Sequence, residues 1–320
     1  MKKRKLGNLE VSEIGMGCMG LSHAAGKPTD METAVRLIRE AVDIGYTFFD
    51  TAKNYGYKDD PFHNEKLLGK ALSGIRNQVV IASKCGVDFD YSVDPDMPPL
   101  LYDSSREGIR KSVEGSLKRL HTDYIDLYFQ ARIDPKVEPE EVADTMAGLI
   151  KEGKILHWGA SEINADYLSR ANAVCPVTAV ENVYNIGTRE HEALTPMLEE
   201  NNIGWVAHGP LLKGLLTGAF KKGVRFARDD WRGRRVNDEN IERYHLLLEY
   251  LSGLGKEKNA TPGQLSLAWI LHQKPYIVPI PGTTRVERLR ENAGAVDLAL
   301  TVEELARVDK LTSFIQEEKI

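Results

Sequence analysis

Short apolar runs alternate along the chain with longer stretches in which apolar residues recur every three or four positions. The short runs, bounded by Gly, Asp, Asn or Pro, fall at 13–16, 47–49, 79–83, 125–129, 155–159, 177–180, 204–207 and 276–280, and each predicts a strand. Most are separated by helical patterns. Ala34, Leu37, Ile38, Ala41, Val42 and Ile44, for example, line one face of a helix that begins after Asp30. Start signals agree with these boundaries. Glu138-Pro139-Glu140-Glu141 puts proline at a first helical position with acids in the first turn. Thr261-Pro262-Gly263-Gln264 and Thr301-Val302-Glu303-Glu304 both have capping-box spacing.

Strands that alternate with helices run parallel and are covered by those helices. Eight such units in 320 residues, with no composition break or flexible linker, predict a single-domain (β/α)8 TIM barrel over 1–320. Extra helices and long loops are expected at its C-terminal face. The other arrangement weighed is an open doubly wound sheet, since Gly15, Gly17 and Gly20 match a G-x-G-x-x-G turn. No helical pattern starts at that turn, so the barrel is preferred.

Composition narrows the partners. Apolar residues make up 42% and charged residues 28%, enough for a large core, and 42 basic against 47 acidic residues give a charge of −5. No broad basic field suggests nucleic acid. Cys18, Cys85 and Cys175 are odd in number and far apart, unlike a disulfide framework or a zinc site. The basic start Met1-Lys2-Lys3-Arg4-Lys5 runs into Leu6-Gly7-Asn8 and not into an apolar segment, and no apolar run reaches the ~18 residues of a membrane span. A cytoplasmic protein with no membrane or nucleic-acid partner is the expectation. Oligomerisation is possible but nothing in the chain indicates it.

In such barrels chemistry gathers at the C-terminal ends of the strands. Those ends carry Asp50, Lys84, Gln130-Ala131-Arg132, Ser161-Glu162, Glu181-Asn182 and His208, with Tyr55 five residues past Asp50. Alone, a strand-end Asp commonly caps a turn and a lysine is commonly solvated. Together the Asp, Lys and Tyr suggest proton chemistry. A phenol titrates near ~10, an adjacent ammonium favours its ionised form, and a carboxylate holds the ammonium in place. Tyr55 would then donate a proton to a developing alkoxide, tuned by Lys84 and Asp50.

Phe49-Asp50-Thr51-Ala52-Lys53-Asn54-Tyr55-Gly56 resembles the F-D-T-A-x-x-Y-G signature of the aldo-keto reductases. Four further segments match in the same order: Ile14 to Gly20, Ser83-Lys84-Cys85-Gly86, Asp126 to Pro135, and Ile280-Pro281-Gly282-Thr283-Thr284. The resemblance covers essentially the whole chain. It implies a (β/α)8 barrel that binds NADPH in an extended pose and reduces an aldehyde or ketone, with Asp50, Tyr55 and Lys84 in the catalytic positions. It also implies cofactor contacts from Gly17, Cys18 and Met19 and from Asp50. Ser161, Glu162 and Glu181 would meet the carboxamide. His208 would meet the nicotinamide, followed by Gly209, Pro210 and Leu211, and Lys213 with Gly214 would lie over the pyrophosphate. At the far end Gly282, Thr283 and Thr284 lead into Arg285 and Arg288 at the 2′-phosphate and adenine, with Glu291 and Asn292 at the adenine. Thr284 and Glu287 have capping-box spacing, which would aim backbone N–H groups at an anion.

Three positions depart from the family pattern. Ala131 stands where D-L-Y-x-x-H-R normally has its histidine, and alanine offers the substrate carbonyl no side-chain hydrogen bond. Loss of that assistance is worth ~10²–10⁴ in rate, so an impaired enzyme is expected. His208 replaces the usual tyrosine, and Glu181 replaces the usual glutamine. The 88–103 loop, with Tyr91, Leu100, Leu101 and Tyr102, is expected to border an apolar pocket, and the basic 221–235 stretch to form a mobile lid or solvated loop. Two other functions were weighed. One is a non-catalytic NADPH sensor of the same fold, as in potassium-channel β subunits, which Ala131 favours and the retained Asp50, Tyr55 and Lys84 disfavour. The other is a metal-dependent hydrolase, for which the eight dispersed histidines supply no H-x-H or H-E-x-x-H ligand set.

Overall fold

The computed structural model describes residues 1–317, with side chains as far as Ser313; residues 318–320 of the expected unit lie outside the described residues. Each of the eight apolar runs gives a strand, its bounds displaced by up to three residues. In chain order the elements are β1 (Lys3–Leu6), β2 (Leu9–Ser12), β3 (Met16–Gly17), α1 (Met31–Ile44), β4 (Phe48–Asp50), α2 (His63–Leu72), β5 (Val80–Cys85), β6 (Val87–Phe89) and β7 (Leu100–Tyr102). Then follow α3 (Arg106–Leu120), β8 (Ile125–Gln130), α4 (Pro139–Lys151), β9 (Ile155–Ser161), α5 (Ala165–Val174), β10 (Ala179–Val183), α6 (Thr195–Glu200) and β11 (Gly204–His208). The last are α7 (Asp238–Arg243), α8 (His245–Lys258), α9 (Pro262–Gln273), β12 (Ile277–Pro279), α10 (Val286–Ala293) and α11 (Val302–Glu317).

The eight-stranded sheet has the order β3-β4-β5-β8-β9-β10-β11-β12, every pair parallel. Its two edges meet: Gly15 N donates to Pro279 O at 3.0 Å, Gly17 N donates to Pro281 O at 3.4 Å, and Gly17 bridges to Gly282. A side chain at Gly17 would put its Cβ 2.6 Å from the Ile280 carbonyl, so this seam needs glycine. The result is a TIM barrel. The G-x-G-x-x-G match at Gly15 to Gly20 leads into one short helical turn at Met19–Leu21, and α1 begins only at Met31.

Strand residues alternate between barrel interior and helix layer. Phe48, Ala82, Leu127, Phe129, Ala179, Val206 and Val278 fill the interior. Their neighbours Phe49, Ile81, Tyr128, Val180, Trp205 and Ile277 pack outward against the helices. The β1–β2 hairpin, not foreseen in the sequence, turns at Gly7 (φ +57°) and inserts Leu6 and Val11 into the interior cluster. Arg4 pins the hairpin by donating to the carbonyls of Leu271, Lys274 and Ile277. The boxes at Thr261 and Thr301 form as expected. The one expected at Thr284 and Glu287 does not. α10 starts after Arg285, which takes the N-cap position with no side-chain cap, and Thr283 Oγ1 accepts from Arg285 N in the preceding turn.

Candidate active site

The alternation of each strand decides which strand-end residues face the mouth. Counting from Phe48 and Ala82, Asp50 and Lys84 point inward; counting from Ala179 and Val206, so do Glu181 and His208. Ala131 continues the inward series of Leu127 and Phe129, its N–H donating to Cys85 O at 2.9 Å. The outward positions serve the scaffold: Ser83 Oγ donates to Glu65 at 2.6 Å, and Glu65 accepts from Arg119 at 2.7 Å, locking α2 and α3 onto β5.

Lys84 is the centre of the inward set. Its ammonium donates to Asp50 Oδ2 at 2.5 Å and to Thr51 O at 3.0 Å, lies 3.2 Å from Glu181 Oε1, and sits 5.3 Å from the centre of the Tyr55 ring. Burial opposes the charge on Lys84, but Asp50 and Glu181 outweigh it and raise its pKa. Burial pushes the Tyr55 phenol up to about 12, with Lys84 pulling the other way. The expected lowering by Lys84 is therefore present but is not the net effect. Burial and the Asp50 charge push the Glu181 carboxyl up to about 8 against Lys84, and Glu181 Oε2 has no hydrogen-bond partner.

A buried network places Tyr55. Asn64, fully buried on α2, accepts from Thr51 Oγ1 at 2.6 Å and donates to Cys18 O at 2.9 Å and Ser22 Oγ at 2.7 Å. Ser22 Oγ donates in turn to the Tyr55 carbonyl at 2.9 Å. Above Tyr55 lies His23, its ring centre 5.9 Å away and nearly parallel, flanked by Phe89 at 4.7 Å and Trp231 at 4.9 Å. His23 Nδ1 is 2.8 Å from Gly56 O, and because a carbonyl only accepts, that nitrogen carries the proton. Burial lowers the His23 pKa to about 4. Asn64 and His23 were missed in the sequence; the only signal was the turn-rich 22–29 stretch beside the strand-end residues.

The two long loops meet at the mouth. Leu100, Leu101 and Tyr102 form β7 with their side chains exposed, while Tyr91 joins Phe89 in the aromatic wall. The 221–235 stretch is tied across the mouth to the 88–103 loop. Arg228 pairs with Asp94 at 2.5 Å, and Trp231 Nε1 donates to Asp96 O at 3.4 Å.

Around the mouth, Arg132 Nη1 donates to Ser161 Oγ at 3.2 Å. Glu162, at φ +55°, accepts from Val183 N at 2.7 Å and pairs with His208 Nε2 at 2.5 Å. His208 is lowered by burial against the pull of Glu162. Gly209 (φ +61°) and Gly214 (φ +95°) curl the segment through Pro210 and Leu211 so that half-buried Lys213 makes no ion pair among the described residues. Burial, then Arg234 and Arg235, lower the Lys213 pKa. At the seam Gly282 abuts Gly17, leading to exposed Thr284 and Arg285. Arg288 is held by both oxygens of Glu291 at 2.5 Å, Glu291 also accepts from Thr261 at 2.8 Å, and Asn292 is buried behind them. A side-chain-free seam beside Cys18 and Met19, an unpaired lysine and a fork of arginines suit an extended polyanionic nucleotide.

The family model for aldo/keto reductases matches residues 13–313. The chain belongs to the aldo/keto reductase family. It is 37% identical over 309 residues to a probable aldo-keto reductase 1 from Glycine max, covering 95% of this chain and 87% of that one. Its structure is similar to the glycerol dehydrogenase of Gluconobacter oxydans, with a TM-score of 0.87 and 27% identity over 99% of this chain and 97% of that one. It is also similar to an aldo/keto reductase from Klebsiella pneumoniae solved with NADP and acetate, with a TM-score of 0.75 and 25% identity over 98% and 96% of the two chains. Among the described residues of this aldo/keto reductase, no helix is long and apolar enough to cross a membrane, and no three His, Cys, Asp or Glu side chains group as a metal site.

Proposed function

We propose that this aldo/keto reductase is a cytoplasmic, NADPH-dependent oxidoreductase that reduces a small aldehyde or ketone to its alcohol, acting as one (β/α)8 unit over residues 1–320. The observation that carries the reading is the inward Asp50–Lys84 pair, 2.5 Å apart, beneath the ring of Tyr55. NADPH, when bound, supplies the hydride that goes to the carbonyl carbon. Tyr55 gives its proton to the carbonyl oxygen as negative charge develops there, an alkoxide being a much stronger base than a phenolate. Lys84 stabilises the phenolate left behind, and Asp50 holds the ammonium charged and in place. Arg285 and Arg288 bind the 2′-phosphate, Lys213 faces the pyrophosphate, and Ser161, Glu162, Glu181 and His208 surround the nicotinamide end. Residue 131 lies on the substrate side. With alanine there, Tyr55 is the one side chain left to hydrogen-bond the carbonyl, and turnover is slow.

A second reading, a nucleotide-binding subunit that does not turn over, is favoured by Ala131 and by Glu181 in a glutamine position. Single-turnover NADPH oxidation with an activated aldehyde separates the two. Hydride transfer by this chain supports the enzyme; none by this chain or by Ala131→His supports the sensor.

A further inference from the structure

An ammonium has three N–H donors and no acceptor. Lys84 donates to Asp50 Oδ2 at 2.5 Å and to Thr51 O at 3.0 Å, and its ammonium forms an ion pair with Glu181 Oε1 at 3.2 Å. Lys84 meets Tyr55 through the ring, 5.3 Å from its centre. Glu181 completes this set. It is buried, faces inward from β10, and lies against both Asp50 and Lys84. Two carboxylates on one ammonium leave one negative charge in excess when both are ionised.

We propose that Glu181 is a positioning residue that draws the charge of Lys84 toward itself and away from Tyr55, and so holds Tyr55 as a weaker acid. This rests on the reading of Tyr55 as the proton donor. The charged and titratable groups facing Glu181 are Asp50 from β4, Lys84 from β5 and Tyr55 from the following loop. Arg132 and His208 border the same mouth, engaged with Ser161 and Glu162 respectively. Burial and Asp50 place Glu181 ionisation at about 8. Below that pH Glu181 is neutral and the charge of Lys84 is offset by Asp50 alone, so more of it reaches Tyr55. Above it, two carboxylates offset Lys84 and the phenol holds its proton more firmly. Reduction therefore slows as pH rises through about 8.

The test is fluorine NMR of the whole chain labelled with 3-fluorotyrosine, the Tyr55 resonance being assigned by its absence in Tyr55→Phe. The Tyr55 resonance should show an inflection near pH 8 in the unsubstituted chain. In Glu181→Gln that inflection should vanish and the phenol midpoint should fall by about 1 pH unit. Glu181→Met serves as a second uncharged variant. No inflection in the unsubstituted chain, or one that survives in both variants, overturns the proposal. If Tyr55→Phe still transfers hydride at the full rate, the proton-donor reading fails instead. If it is inactive while the Tyr55 midpoint ignores residue 181, only the role of Glu181 fails.

Discussion

The ammonium of Lys84 lies 5.3 Å from the centre of the Tyr55 ring, within cation–π reach of the ring and close enough to bias its phenol. This relationship depends on two elements that approach from different directions. β5 delivers Lys84 by strand alternation, and the loop after β4 delivers Tyr55 through Asn64 and Ser22. On the proposed mechanism, proton donation by Tyr55 depends on both the sheet register and the buried amide network.

Residue 131 sits inward beside that pair with no polar side chain. Ala131→His is expected to raise kcat by about 10²-fold, within the range for general-acid assistance. NADPH affinity should change little, because residue 131 is on the substrate side. Steady-state kinetics over a panel of aldehydes and ketones checks this, and a gain confined to cofactor affinity would move residue 131 to the other side of the site.

Arg288 is pre-positioned by Glu291, which Thr261 holds in turn. Arg288→Ala should weaken NADPH binding by about 10- to 100-fold, the loss of a charge-assisted hydrogen bond, and leave NADH binding nearly unchanged. Fluorescence titration with each nucleotide measures the ratio.

Asn64→Ala leaves Thr51, Ser22 and the Cys18 carbonyl without their buried partner. A loss of about 1–3 kcal/mol in unfolding free energy is expected. A fall in kcat should accompany it as the Tyr55 loop loosens. Denaturant unfolding and kinetics on the same variant test both.

His23 is held neutral by burial, its pKa lowered from 6.5 to about 4. The unfolded chain binds a proton there that the folded chain refuses, so stability is full above pH 6.5 and declines as pH falls toward 4. The contribution is about 3 kcal/mol at most. Unfolding curves at several pH values should show this slope in the unsubstituted chain and a flatter one in His23→Phe, which keeps the ring between Phe89 and Trp231.

The barrel strands were legible because parallel strands buried on both faces read as continuous apolar runs. Asp50, Lys84, Glu181 and His208 were legible as the polar residues ending those runs. The β1–β2 hairpin was not, because Lys3-Arg4-Lys5 resembles a charged terminus and its apolar contribution rests on Leu6 and Val11 alone. Nor was Asn64, which in the sequence is an ordinary polar residue near a helix start; its burial follows from the packing of α2 under the Tyr55 loop. The cap expected at Thr284 is absent because α10 starts one residue later, with Arg285 in the N-cap position. The position of Glu181 on Lys84 was hidden for a different reason. It depends on barrel closure bringing β10 across from β5, a contact that no local spacing records.

Single-turnover oxidation of NADPH by an activated aldehyde reads out whether Tyr55 donates the proton that completes hydride transfer. With unsubstituted chain and Tyr55→Phe at matched nucleotide saturation, the account predicts NADPH oxidation equal to aldehyde consumed, slowed about 10²-fold or more by the substitution. Equal rates in the two proteins would contradict it.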